Sequence, residues 1–173
     1  MLSKLQKFRD QKTSDQKGFT IIEVMIVLAI AGLIIVIVLL AVPALQRNGR
    51  NTGIRSDANQ LAGYASTFST DNQGAIPTAA GSTVASGVVT INNASGTASK
   101  GKIQAGTKTT FVDAASPAAA VTPLIGELTV VYGARCPDSV SGTSVTPVNS
   151  SRSISVIYAT ETSGGTAAQC IGS

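Results

Sequence analysis

Few side chains in this chain could do chemistry, and their types exclude most reactions. There is no histidine in the sequence, so neither a Ser-His-Asp nor a Cys-His arrangement can form. The acids Asp57, Asp71, Asp113, Glu127, Asp138 and Glu161 occur singly, without the close ligand spacing of a calcium loop, and read as solvated surface or turn residues. Gly96-Thr97-Ala98-Ser99-Lys100-Gly101-Lys102-Ile103 has the spacing of a phosphate-binding loop up to its last position. There Ile103 replaces the Ser or Thr whose hydroxyl would hold magnesium, and the strand before and helix after are missing. The match reads as coincidence, and no catalytic residue, metal or cofactor is expected.

One carboxylate is different. Glu23 lies one turn into the apolar run Ile21-Ile22-Glu23-Val24-Met25-Ile26-Val27, directly after a basic leader. A carboxylate near the start of a membrane-length helix costs free energy unless it is paired, so its presence asks for a partner. Cutting the chain after Gly18 would create one, a positive N-terminus on Phe19 at the dipole-positive end of the helix, where a carboxylate is also favoured.

The stretch from Lys17 to about Leu45 resembles the signature of type IV prepilins and of the related type II secretion pseudopilins. In that family a dedicated prepilin peptidase cuts after the glycine, and the new N-terminal phenylalanine is N-methylated. Gly18 corresponds to the residue before the cut, Phe19 to the methylated residue, Thr20 to the small polar position that follows and Glu23 to the fifth-residue glutamate. The resemblance implies that Glu23 of one subunit meets the Phe19 amine of another during filament assembly, with Phe19, Thr20 and Glu23 forming the assembly site. It also implies an assembly platform and minor pilins as partners.

The elements that must position these residues follow from composition and periodicity. Residues 1–18 form a charged leader without apolar periodicity, and residues 24–42 carry no charge. At ~1.5 Å per residue that run is about long enough to cross a bilayer core. The basic leader favours a cytoplasmic N-terminus with the C-terminal domain outside, although Arg47, Arg50 and Arg55 weaken the asymmetry. The competing reading is a secretory signal peptide cut after Ala44, which would leave Leu45 first. The apolar run is longer than such a segment needs, and it contains Glu23. Beyond Pro43 the residues Ile54, Ala58, Leu61, Ala65 and Phe68 recur at spacings of four and three and predict an amphipathic helix, with Arg50, Arg55, Asp57, Asn59 and Gln60 off the stripe. Asp71-Asn72-Gln73-Gly74 should end it, and Pro77 bars resumption. Gly32 and Pro43 bracket a weakened stretch that either kinks or, as in pilins, melts when the subunit enters a filament.

From Ala79 onward, β-branched clusters alternate with Gly, Ser and Pro. They predict strands over Val84–Ile91, Thr109–Val112, Glu127–Tyr132 and Ser153–Thr160. Cys136 follows the third of these and Cys170 nearly ends the chain. In an exported protein an even count favours a disulfide, since metal ligation needs more Cys or His than the chain has. The layout also resembles the disulfide-bounded loop of type IV pilins.

Charge confirms the division. The leader has five basic and two acidic residues, leaving eight basic and seven acidic beyond Gly18, so the formal +4 falls to +1 once the leader is removed. A near-neutral chain argues against strong nucleic-acid binding. Lys100, Lys102 and Lys108 form a local basic cluster whose repetition along a filament could hold DNA weakly by avidity, against the plainer reading of a solvated loop without stacking aromatics. Asn93-Ala94-Ser95 and Asn149-Ser150-Ser151 fit the glycosylation sequon, a short match that arises by chance in Ser-rich sequence.

The expected fold is α+β: a cleaved leader at 1–18, a long helix over 19–75 whose segment 19–45 lies in the membrane or the filament core, and a β-rich head at 76–173 on a small antiparallel sheet. The expected role is a structural, non-enzymatic subunit of a type IV pilus, a homo-oligomeric helical filament stored first in the cytoplasmic membrane. A pseudopilin of a secretion or competence system is the nearest alternative, and a monomeric membrane-anchored surface binder the alternative of another class.

Overall fold

The computed structural model describes residues 18–93, 98–104, 107–114 and 119–172. Two compact units divide the chain, Met1–Pro43 and Ala44–Ser173. The helix α1, Ile21–Asp71, contributes to both.

Over its described residues the first unit is the apolar part of α1. Gly32 and Pro43 both lie inside the helix, which is continuous through them, so neither end of the weakened stretch is unwound in this structure. Pro43 has no N–H to donate, so one intrahelical bond is missing there. Every Leu, Ile, Val and Met side chain from Ile21 to Leu45 is exposed.

In the second unit α1 becomes amphipathic, as its periodicity predicts. Ile54, Ala58, Leu61, Ala65 and Phe68 are all buried, and full burial of a Leu or Phe contributes about 1.5–3 kcal/mol. The helix closes with a Schellman-type turn in which Gly74 N–H donates to the Ser69 carbonyl at 2.7 Å. Gln73 takes the left-handed conformation at φ 57° and Gly74 follows at φ 84°.

Among the described residues seven strands follow: β1 (Thr83–Ala85), β2 (Val88–Ile91), β3 (Ser99–Lys102), β4 (Lys108–Asp113), β5 (Glu127–Arg135), β6 (Val148–Thr162) and β7 (Gly165–Gly172). A short 3-10 turn, Ala79–Gly81, precedes them. They form two sheets, β1-β2-β3 and β4-β5-β6-β7. The first sheet is antiparallel, whereas the second is mixed because β4 pairs parallel to β5. The expectation of one small antiparallel sheet is corrected in these two respects.

The predicted strand Val84–Ile91 is a hairpin. Ser86 and Gly87 both have positive φ, 50° and 76°, the requirement of a two-residue type I′ turn whose twist matches its flanking strands. Between β5 and β6 the register breaks: Tyr132 pairs with Ile154 and Ala134 with Asn149, so Gly133 alone opposes the excursion Ser150–Ser153. Gly133 sits at φ 77°, which a residue with a Cβ adopts only under strain.

The faces of the larger sheet separate by strand alternation. Leu128, Val130, Tyr132, Ile154, Val156 and Tyr158 join the core containing α1, while Val131, Ala134, Ile157 and Ala168 pack with Val145 in a second cluster. The Tyr132 phenol is within 2.9 Å of Ser82 Oγ, which itself donates to the Thr78 carbonyl. Burial pushes that phenol's pKa well above its ordinary value.

Polar contacts fix α1 on the sheets, and they correct the reading of Asp57 as solvated, whereas Asp71, Asp113 and Asp138 are exposed as expected. Asp57 is only 3% exposed; its carboxylate accepts from Gln104 N–H at 3.0 Å and from Thr107 Oγ1 at 2.7 Å. Arg50 grips Glu161 in a two-bond fork of 2.5 and 2.6 Å. The Asn51 amide donates to the Glu161 carbonyl and accepts its N–H, both at 2.8 Å. Glu127 pairs with Lys108, Asp138 with Arg135, and Asp113 accepts from Ala79 N–H.

Tyr64 braces the Gly-Lys strand Ser99–Lys102, which pairs with β2. Its hydroxyl takes both backbone groups of Lys102, donating to the carbonyl at 3.0 Å and accepting from N–H at 3.1 Å. Its ring lies flat over Gly101, where a Cβ would come within 2.0–2.4 Å of the ring carbons. Gly101→Ala should therefore destabilise the folded chain by about 1–3 kcal/mol through overpacking. Thermal unfolding of the detergent-solubilised protein measures this. Adding Tyr64→Ala should recover part of the loss, and strictly additive effects would contradict the contact.

Candidate functional site

The N-terminal site is built from the residues where α1 begins. Gly18 and Phe19 are exposed, Phe19 at 85%. A Cβ placed on Gly18 would meet nothing within 4 Å among the described residues, so none of these requires glycine there. The helix starts at a reciprocal cap. Thr20 Oγ1 accepts from Glu23 N–H at 3.4 Å, and Glu23 Oε2 receives the Thr20 hydroxyl at 3.2 Å and the Thr20 N–H at 3.4 Å. This is a capping box, Thr at the N-cap and Glu at the third helical position, which satisfies donors the first turn leaves orphaned.

The capping box supplies a partner for Glu23 within its own subunit that the sequence reading did not identify. The signal was available as Thr20-x-x-Glu23 immediately before an apolar run. The Phe19 nitrogen is a peptide amide while Gly18 is attached, so the proposed positive partner does not exist before cleavage. Glu23 also borders a depression of about 370 Å³ lined with Phe19, Val24, Val27 and Leu28. Beyond it extends the exposed apolar surface, with mean hydropathy 3.4 over its best 18-residue window and none of that window buried. Glu23 is the one charged residue between Gly18 and Arg47. Among the described residues no group of three or more His, Cys, Asp or Glu could hold a metal.

The cysteines lie elsewhere, in the second unit. Cys136 follows the last residue of β5, Cys170 sits on β7 opposite Ile157 of β6, and the two are joined with a Cα separation of 5.8 Å. The bridge crosses above Gly172, whose absent Cβ would lie 3.2 Å from Cys136 Sγ and 2.9 Å from the Ile154 carbonyl. Val140 and Val145, between β5 and β6, pack on the sheet face that α1 leaves open. Val145 exchanges two 2.8 Å hydrogen bonds with Val121, and Gly142 accepts from Ala168 N–H on the outer edge of β7.

The remaining sequence candidates do not converge. Lys100 and Lys102 are exposed on β3, while Lys108 begins β4 in the other sheet and pairs with Glu127 at 2.5 Å. In the phosphate-loop-like stretch Ser99–Lys102 is a strand, and Gly96 and Thr97 lie outside the described residues. So do Ala94 and Ser95 of the first sequon, whereas Asn149 of the second is an exposed residue of β6.

Residues 13–42 match the family model of the prokaryotic N-terminal methylation motif. The chain thus carries, over this segment, the signal shared by type IV pilins and pseudopilins. No curated protein and no solved structure matches the chain.

Closing a 34-residue separation by the Cys136–Cys170 bond should contribute about 3–4 kcal/mol on the chain-entropy account. Cys136→Ser with Cys170→Ser is expected to lower stability by roughly that amount. Urea unfolding of the two forms measures it, and an unchanged midpoint and slope would show that the bridge does not constrain the unfolded chain.

Proposed function

We propose that this protein is a structural, non-enzymatic subunit of a type IV pilus, stored in the cytoplasmic membrane with its leader inside and its β-rich unit outside. A prepilin peptidase cuts between Gly18 and Phe19, the Phe19 nitrogen is methylated, and the apolar half of α1 then passes from lipid into the core of a helical filament. The observation that carries this reading is the methylation motif joined to a wholly exposed apolar helix whose one carboxylate is Glu23. Such a surface is stable in water only when covered, since each large apolar side chain left exposed forfeits about 1.5–3 kcal/mol.

Lipid and neighbouring helices cover it equally well, because acyl chains are as apolar as Leu or Ile. Apolar burial therefore does not select the filament over the membrane. The carboxylate does. In the stored subunit it is held by Thr20; after cleavage, the charged amine of Phe19 on an adjoining subunit offers a stronger, charge-assisted partner. One copy meeting the next through different surfaces does not close into a ring, and the contact propagates as a fibre. A pseudopilin of a type II secretion or competence system would use the same motif and the same pairing, with a shorter fibre as the difference.

Glu23→Gln separates the two roles of the side chain. Its amide oxygen can still accept from Thr20 and preserve the cap, but its charge is gone. The expected result is a normally cleaved, membrane-held subunit with few or no fibres, as for Glu23→Ala. Electron microscopy of sheared surface material, probed for this subunit, reads the outcome. Normal fibre numbers in the Gln variant would show that capping is all Glu23 does and would sink the pairing mechanism. Mass spectrometry of the mature wild-type subunit should find N-methyl-phenylalanine first; a chain beginning at Leu45 would replace this reading with secretion as a free protein.

A further inference from the structure

Cleavage between Gly18 and Phe19, as proposed above, places a demand on conformation that the start of α1 meets. In hydrolysis of this bond a water oxygen bonds to the Gly18 carbonyl carbon, the bond to the Phe19 nitrogen breaks, and that nitrogen gains both water protons. A Gly18 carboxylate and a Phe19 ammonium remain. Charge builds on the Gly18 carbonyl oxygen as the water adds, so that oxygen must be open to the donors that stabilise it. A helix running back through the cut would close it, because the Gly18 carbonyl would then accept from Ile22 N–H, four residues on.

The structure keeps that carbonyl open. α1 starts at Ile21, and Gly18, Phe19 and Thr20 before it are all exposed. The first carbonyl to enter the helical pattern is that of Thr20, which accepts from Glu23 N–H at 3.1 Å and from Val24 N–H at 3.3 Å; among the described residues the Gly18 and Phe19 carbonyls accept no hydrogen bond. This boundary has competitors. Ser14 and Asp15 are N-cap residue types that could start a helix earlier, and close to lipid each unbonded backbone group favours a longer one. Two features oppose that lengthening. Gly18 is among the poorest helix formers, and the Thr20 hydroxyl accepts from Glu23 N–H, the same donor that a longer helix would direct to the Phe19 carbonyl.

We propose that Thr20 is a positioning residue for the cleavage: its side chain claims the Glu23 N–H, stops α1 short of the cut, and so holds the Gly18–Phe19 bond outside the helix, where the peptidase can reach it. This rests on the cleavage reading above and gives Thr20 a task before assembly, separate from any place in the filament contact. Glu23→Ala leaves the device in place, because the donor to the Thr20 hydroxyl is the backbone N–H of residue 23.

The test uses the full-length precursor in detergent micelles with a purified prepilin peptidase. Thr20→Val keeps the shape of the side chain and loses the hydroxyl, whereas Thr20→Ser and Thr20→Asn keep a capping oxygen. The Val variant is expected to lose kcat/KM severalfold, up to the roughly fivefold that loss of an N-cap corresponds to, with the Ser and Asn variants cut at the wild-type rate. Amide hydrogen exchange at Phe19 and Ile22 of the uncut precursor should slow in the Val variant alone, as the helix lengthens. A Val variant cut as fast as wild type overturns the inference. So does slow cutting of all three variants, which would mean that the peptidase reads the threonine itself, and so does slow cutting without a change in exchange. Wild-type precursor left uncut between Gly18 and Phe19 overturns the cleavage reading itself; once that cut is seen, the other outcomes bear on Thr20 alone.

Discussion

A carboxylate must be satisfied wherever the helix that carries it goes, and this constraint organises the first unit. Glu23 stands alone among exposed apolar side chains, so each environment the helix enters has to provide for it. The chain does so internally through the Thr20 hydroxyl and amide. These are neutral donors at 3.2–3.4 Å, weaker than a charge-assisted bond to an amine would be. On the function proposed above, a stabilising but replaceable partner would suit Glu23: a tighter internal bond would oppose an exchange of partners, and none would leave the carboxylate unsatisfied.

The second unit solves a different problem, that of holding half a helix when the other half belongs elsewhere. Apolar packing of Ile54, Leu61, Ala65 and Phe68 supplies most of the adhesion, but such contacts are tolerant of rotation and sliding. The polar contacts are not. Asp57 is committed to Gln104 and Thr107, Asn51 to both backbone groups of Glu161, and Tyr64 to both backbone groups of Lys102. Each fixes one turn of α1 to a different strand or loop, so together they define a single register.

What was legible in the sequence divides along physical lines. The helix was readable because its apolar positions repeat at its own period, and β5 and β6 because β-branched residues concentrate in them. β3 and β7 were not, since Ser99-Lys100-Gly101-Lys102 and Gly165-Thr166-Ala167-Ala168-Gln169 have little strand propensity of their own. They are strands because β2 pairs with the first, which Tyr64 also covers, and β6 pairs with the second. Asp57 was misplaced because an apolar-stripe argument cannot see a polar residue buried on that stripe. The Ser86-Gly87 turn and the Thr20-x-x-Glu23 cap do have local signals, the first masked by the longer β-branched run around it and the second by the charge of Glu23 within an apolar run.

The attachment at residues 50 and 51 also has a mechanical meaning. A pull exerted through the apolar half of α1 reaches the second unit there first, where four hydrogen bonds converge on Glu161 alone. Glu161 belongs to β6, the longest strand, which is laddered on both sides. Tension would thus be delivered to β6 beyond the end of its ladder with β5, where Glu161 pairs with Thr166 of β7 alone.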